Sequence, residues 1–193
     1  MALNRDAEYC GDCLQKKYLF NHIHALGDYS KPLSTLIKQL KYQQQLIAGE
    51  LLAYLLIKSI RIRYTATQLT QFDYLLAVPL HPKKLQQRGF NQAQIICDCL
   101  HQKLHIPKLV GIIQRKKDTI AQEGLSVKKR EKNLNEAFSF NSKTTNQVKG
   151  KNIVIIDDVV TTGATINNLC KLLIKKGANS VIVFCISRTA IDN

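Results

Sequence analysis

Between Gly150 and Ile186 the chain reads as strand, helix, strand, and this order constrains the fold more than any other feature. Gly150-Lys-Asn-Ile-Val-Ile-Ile156 is a continuous apolar run rather than an alternating one, as expected of a strand buried on both faces. A helix from about Gly163 to Lys176, stopped at Gly177, leads to a second apolar strand at Ser180 to Ile186. Parallel strands need such a crossover, and it runs right-handed. Phe72 to Val78 is another short apolar run, stopped by Pro79 and Pro82 and followed by a helix from an Asn91 N-cap to about Leu104. The two units together predict an α/β fold with a mainly parallel twisted sheet flanked by helices.

Upstream, Tyr18 to Tyr29 reads as extended, and Lys31–Lys41 and Gln45–Arg61 read as amphipathic helices, with Leu33, Leu36, Ile37 and Leu40 at helical spacing. Leu109 to Ile113 is read as a further strand and Phe138 to Phe140 as a short one. Residues 1–17 are polar and form a small N-terminal appendage, leaving 18–193 as a single domain. The segment of about 115–136 is polar and highly charged, with few apolar anchors, and is long for a connection in a compact domain. Such length points to a functional lid or to disorder.

Composition excludes several classes. No run of about 18 apolar residues is present, so no membrane span is expected, and the N-terminus shows no secretory signal. Cys97, Cys99, Cys170 and Cys185 lie in apolar runs, which favours reduced thiols and a cytoplasmic location over a disulfide framework. The 28 Lys and Arg residues against 14 Asp and Glu give a net charge of +14, a surface that attracts polyanions or phosphate-bearing metabolites.

The chemistry is concentrated in "VIIDDVVTTGAT", Val154 to Thr165. In an open α/β sheet the ligand crevice lies beyond the carboxyl ends of the strands. There the apolar strand is expected to end on two solvent-facing carboxylates, Asp157 and Asp158, with Thr161, Thr162, Gly163, Ala164 and Thr165 opening the next helix. Backbone N–H groups and the helix dipole favour a phosphate at such a turn. Gly163 lets the backbone approach a ligand, and the threonines add hydroxyl donors. Paired carboxylates accept from vicinal hydroxyls or hold a hydrated Mg²⁺. Phosphate, diol and divalent ion together describe a ribose 5-phosphate. The alternative is structural: Asp158 and Thr161 cap the helix while Asp157 is solvated.

This stretch resembles the phosphoribosyl pyrophosphate (PRPP) binding motif of type I phosphoribosyltransferases. With "LIKQLKY" (Leu36–Tyr42), "VPLHPKKLQQRGFNQA" (Val78–Ala93) and "DTIAQEGLSVKKREKNLNEAF" (Asp118–Phe138), the chain resembles the ComF family over about residues 20 to 190. These are phosphoribosyltransferase-like proteins associated with natural competence, in which imported single-stranded DNA reaches the cytoplasm.

The resemblance implies a type I phosphoribosyltransferase-like fold. Asp157 and Asp158 would contact the ribose hydroxyls, Thr161 to Thr165 would cradle the 5-phosphate, and Lys83 and Lys84 would face the pyrophosphate, with Arg88 a further phosphate contact. Lys83 and Lys84 can equally begin a solvated helix face, and Arg88 can serve as a salt bridge. The loop of about 115–136, with Thr119, Gln122, Arg130 and Asn133 matching the family pattern, would fold over the substrate, although loop rigidity or partner contact explains those residues equally well. The implied cofactor is Mg²⁺ with PRPP, and the implied ligands are PRPP or a nucleoside monophosphate. Single-stranded DNA and competence or DNA-processing proteins are the implied partners, with an active phosphoribosyltransferase of nucleotide metabolism as the alternative reading. Cys10 and Cys13 are candidate zinc ligands, but a structural zinc wants four, and a late start or a degenerate zinc ribbon accounts for the half-motif more simply.

Overall fold

A computed structural model of the chain describes residues 18–116 and 137–189. The centre is a four-stranded, all-parallel sheet in the order β1 (His22–Asp28), β6 (Ser180–Arg188), β5 (Asn152–Val160), β2 (Tyr74–Ala77). Ile153 to Ile156 and Val181 to Ile186 are buried throughout, so both faces of the central strands are covered. This is the type I phosphoribosyltransferase-like α/β fold expected from the sequence.

One face carries α1 (Leu33–Gln43), α2 (Leu46–Arg63) and α5 (Gln92–Leu104). Two short helices, α3 (Ala66–Leu69) and α4 (Pro82–Arg88), lie in the connections flanking β2. Helix α2 buries Ala48, Leu52, Ala53, Leu56, Ile57 and Ile60 against α1 and α5. Gly49 makes that approach close: a Cβ there would stand 3.1 Å from Leu40 Cδ1 and 3.2 Å from Ile95 Cγ2. Asn91 caps α5 as expected, its Oδ1 accepting from the Ala93 N–H at 3.1 Å, while its Nδ2 donates to the Val78 carbonyl at 2.9 Å. The same side chain therefore starts the helix and ties it to the end of β2.

Helix α6 (Ala164–Lys175) joins β5 to β6. The crossovers β1 to β2 and β2 outward through α5 run one way across the sheet, whereas β5 to β6 runs the other way, so right-handed connections put α6 on the opposite face. The reversal falls between β2 and β5, which defines the topological switch point.

Two boundaries differ from the expectation. The expected strand Leu109–Ile113 is not formed as such: the chain pairs beside β2 only around Lys108, residues 109–112 lie outside any strand, and β3 (Ile113–Arg115) then forms a separate antiparallel hairpin with β4 (Phe138–Phe140). Pro107, which has no N–H to give, leaves room for one turn of pairing, with Leu75 N–H donating to its carbonyl at 2.8 Å. Strand β5 also does not stop at Asp157 and Asp158. It continues to Val160 because β6 keeps pairing with it as far as Arg188.

Cys97, Cys99, Cys170 and Cys185 are free. Burial pushes the Cys97 and Cys170 thiols up to about 12. The appendage of residues 1–17, with Cys10 and Cys13, and residues 117–136 of the expected lid lie outside the described residues. Among the described residues no helix is long and apolar enough to cross a membrane.

Candidate functional site

The site opens where β2 stops and β5 does not. Pairing on that side ends at Ala77 with Ile156, followed by Val78 N–H donating to the Ile156 carbonyl at 2.9 Å. Beyond it, Asp157 and Asp158 have a strand neighbour on the β6 side only. They border a cleft of about 200 Å³ at the switch point.

Four cations from three elements line the same cleft: Lys41 at the end of α1, Lys84 and Arg88 in α4, and Arg115 in β3. Asn91, Gln92 and Thr165 complete the polar wall. The first two begin α5 and the last lies in the first turn of α6, so the cleft is framed by the starts of the two helices that leave β2 and β5. Cationic groups facing a carboxylate pair suit a ligand that carries both anionic oxygens and hydroxyls.

The carboxylates are not the solvated pair expected from the sequence. Asp158 is 8% exposed; its Oδ2 lies 2.6 Å from Lys41 Nζ and its Oδ1 accepts from the Val159 N–H at 2.9 Å. Asp157 is half-buried, and its Oδ1 accepts from the Asp158 N–H at 2.9 Å. Desolvation, and then the adjacent Asp158 charge, push the Asp157 carboxyl well above the usual carboxylate range. Lys41, arriving from α1, covers Asp158 from the side that β2 leaves open.

The turn after β5 has the geometry of a close backbone approach. Gly163 adopts φ +70°, and a Cβ there would meet the Tyr18 ring at 3.0 Å. The Tyr18 hydroxyl donates to the Thr162 carbonyl at 3.1 Å, and Leu19 N–H donates to Asn167 Oδ1 at 2.8 Å. A stack with Phe20, ring centroids 4.9 Å apart, holds Tyr18 in that position. The chain just before β1 therefore straps the turn from outside.

Of the candidate residues, Asp157, Asp158, Lys84, Arg88 and Thr165 meet at the cleft. Thr161, Thr162, Gly163 and Ala164 form the turn beside it, with both threonines exposed and Gly163 buried. Lys83 projects from the exposed side of α4, its N–H donating to His81 Nδ1 at 3.3 Å, and does not line the cleft. A one-residue step along a helix turns a side chain about 100°, so only one of the adjacent lysines can face the site. Lys41, Gln92 and Tyr18 have no site role in the sequence reading. The first two sit inside quoted motifs, but spacing alone did not show which of their polar residues turn inward.

A magnesium ion fits this donor set only as part of a ligand complex. Asp158 is already engaged by Lys41, and no cluster of three or more acidic, His or Cys side chains exists among the described residues. Mg²⁺ commonly binds through one or two carboxylates plus substrate phosphates, and Asp157 with Asp158 supplies that share. His24 meets Ser59 Oγ at 3.0 Å inside an aromatic cluster with Tyr64 and Phe184.

Comparison with known proteins agrees with this geometry. The phosphoribosyl transferase domain family matches residues 92–191. The chain is 36% identical over 182 residues to "Competence protein F" of Haemophilus influenzae, covering 94% of this chain and 79% of that one. The chain belongs to the ComF family. Other members include "DNA utilization protein YhgH" of Escherichia coli, 38% identical over 93% of this chain and 78% of that one. "Competence protein ComFC" of Bacillus subtilis is 34% identical over 60% of this chain and 44% of its own length. In this ComF-family chain the matched domain begins at Gln92, so α1, α4 and their cations Lys41, Lys84 and Arg88 lie upstream of it.

Proposed function

We propose that the chain binds PRPP, or the ribose 5-phosphate half of a nucleotide, and serves in the handling of DNA taken up during natural competence. The observation that carries the ligand reading is the convergence of Asp157 and Asp158 with Lys41, Lys84, Arg88 and Arg115 on one cleft at the switch point. Vicinal hydroxyls would donate to the carboxylates, the turn from Thr161 to Thr165 would hold the 5-phosphate, and the cations of α4 and β3 would take the diphosphate. Magnesium would arrive with the diphosphate and neutralise part of its charge. The competence reading is supported by the names of the relatives and by the net charge of +14, which favours association with nucleic acid.

A second reading, transfer of the phosphoribosyl group, is favoured by the same cleft. The bond from ribose C1 to diphosphate oxygen would break, the bond to an incoming nucleophile would form, and pyrophosphate would leave against Lys84 and Arg88. Their charge would stabilise the departing group more than the bound reactant. Incubation with Mg-PRPP and mixtures of free bases or single-stranded oligonucleotides, followed by pyrophosphate measurement, separates the two. Pyrophosphate release that needs an added acceptor supports transfer. Tight binding without release supports a sensor or scaffold, and absence of binding contradicts both.

A further inference from the structure

The first residue of α5 carries a buried donor that no described residue uses. Gln92 is 3% exposed, and its Oε1 accepts from Arg88 Nη1 at 3.1 Å. A guanidinium only donates, so this contact fixes which end of the carboxamide is oxygen. The other end, Nε2, is buried and has no hydrogen-bond partner among the described residues. A buried N–H₂ without an acceptor costs stability, and native chains rarely keep one without a use for it. Gln92 lines the cleft next to Arg88 and Asn91.

We propose that Gln92 is a ligand-binding residue whose carboxamide turns into the cleft and donates to an anionic oxygen of the ligand's diphosphate. This rests on the phosphoribosyl reading of the site. Arg88 holds the side chain back through a single hydrogen bond. A diphosphate that draws the Arg88 guanidinium onto its own oxygens removes that bond and replaces it with a charge-assisted one. The released carboxamide then has an acceptor within the same ligand, so the exchange ends with more hydrogen bonds than it began with. The diphosphate is the expected partner because Gln92 and Arg88 share one wall with Lys84, whereas Asp157, Asp158 and Thr165 come from β5 and α6.

The test is calorimetric titration of the whole chain with pyrophosphate, ribose 5-phosphate and PRPP, each with Mg²⁺, for the unaltered protein, Gln92→Met and Gln92→Glu. Gln92→Met has nearly the same shape but no donor. Gln92→Glu still accepts from Arg88 but presents an acceptor to the diphosphate. Both variants are expected to bind pyrophosphate and PRPP about tenfold more weakly, one charge-assisted hydrogen bond's worth, and ribose 5-phosphate within about twofold of the unaltered chain. The ligand-free thermal midpoint of Gln92→Met should stay close to that of the unaltered chain, because losing the acceptor for the partly exposed Arg88 is offset by removing an unpaired buried donor. Unchanged pyrophosphate binding in both variants overturns the inference while leaving the site reading intact. Equal weakening of all three ligands with a lowered midpoint also overturns it, since that pattern marks a packing role. If the unaltered protein binds none of the ligands, the phosphoribosyl reading fails and the inference falls with it.

Discussion

Lys41 Nζ stands 2.6 Å from Asp158 Oδ2, so the end of helix α1 neutralises half of the carboxylate pair before any ligand arrives. Among the described residues the neighbouring Asp157 forms no such ion pair, and its carboxyl is pushed up by burial and by Asp158. The two aspartates therefore differ in what they do for the folded chain.

Asp157→Asn should raise the thermal midpoint of the ligand-free protein. A carboxyl whose pKa is raised in the folded state binds more protons folded than unfolded, so its ionisation at neutral pH disfavours folding. Removing it relieves that cost and the repulsion of Asp158. Asp158→Asn and Lys41→Met should instead lower the midpoint, through a loss of about 1–3 kcal/mol of stability, because each strands a largely buried charge. Equal effects of the two aspartate changes, read by thermal denaturation at pH 7, would contradict the assignment.

The strap over the phosphate turn predicts a graded series at Tyr18. Tyr18→Phe keeps the ring on Gly163 and the stack on Phe20, losing only the bond to the Thr162 carbonyl, and should weaken ribose 5-phosphate binding by about twofold to fivefold. Tyr18→Ala removes the ring and should weaken it further. Gly163→Ala combines a strained φ of +70° with a contact at 3.0 Å to the ring, and should lose ribose 5-phosphate binding while pyrophosphate binding is largely kept. Titration with the two ligands separately reads this directly. Ribose 5-phosphate affinity unaffected by Tyr18→Ala would remove the strap from the site.

Burial, followed by the charges of His22 and Arg63, lowers the His24 imidazole to about 4. Between the ordinary value of 6.5 and about 4 the unfolded chain takes up a proton at this position that the folded chain refuses, so stability should fall as pH drops through that window. Below about 4 both states are protonated and the contribution saturates. Gln in place of His24 can still meet Ser59 and does not titrate, so His24→Gln should flatten the fall in thermal midpoint between pH 6.5 and 4. An unchanged slope would place the pH dependence elsewhere.

If the +14 chain engages single-stranded DNA through its surface charge, binding should weaken linearly in log–log form with salt and depend little on sequence. Replacing Lys128, Lys129, Arg130 and Lys132 with Gln should reduce the salt slope. Absence of binding at low salt would leave a metabolite-binding protein without a direct DNA contact.

The parallel sheet was legible because Val154–Ile156 and Val181–Ile186 are apolar without alternation, which only burial on both faces explains. The turn at Gly163 was legible because a glycine among three threonines directly follows the apolar run, and Gly163 adopts φ +70° at the start of α6. The exposure of the carboxylates was misjudged because it depends on where β2 ends relative to β5, a tertiary register that neither strand's sequence states. Lys41 and Tyr18 reach the site from 117 and 145 residues away in the chain from Asp158 and Gly163, and no local pattern encodes such a meeting. Lys83 and Lys84 were indistinguishable until the helix phase of α4 separated them.

The central claim is that the cleft at the β2–β5 switch point binds a phosphoribosyl ligand through its carboxylate pair. Isothermal titration of Mg-PRPP into the unaltered chain and into Asp157→Asn/Asp158→Asn, with folding of the variant checked by circular dichroism, tests it most directly. Saturable one-to-one binding by the unaltered chain, lost in the folded double variant, is the predicted result. A folded double variant that binds Mg-PRPP with unchanged affinity, or an unaltered chain that does not bind it at all, would contradict the claim.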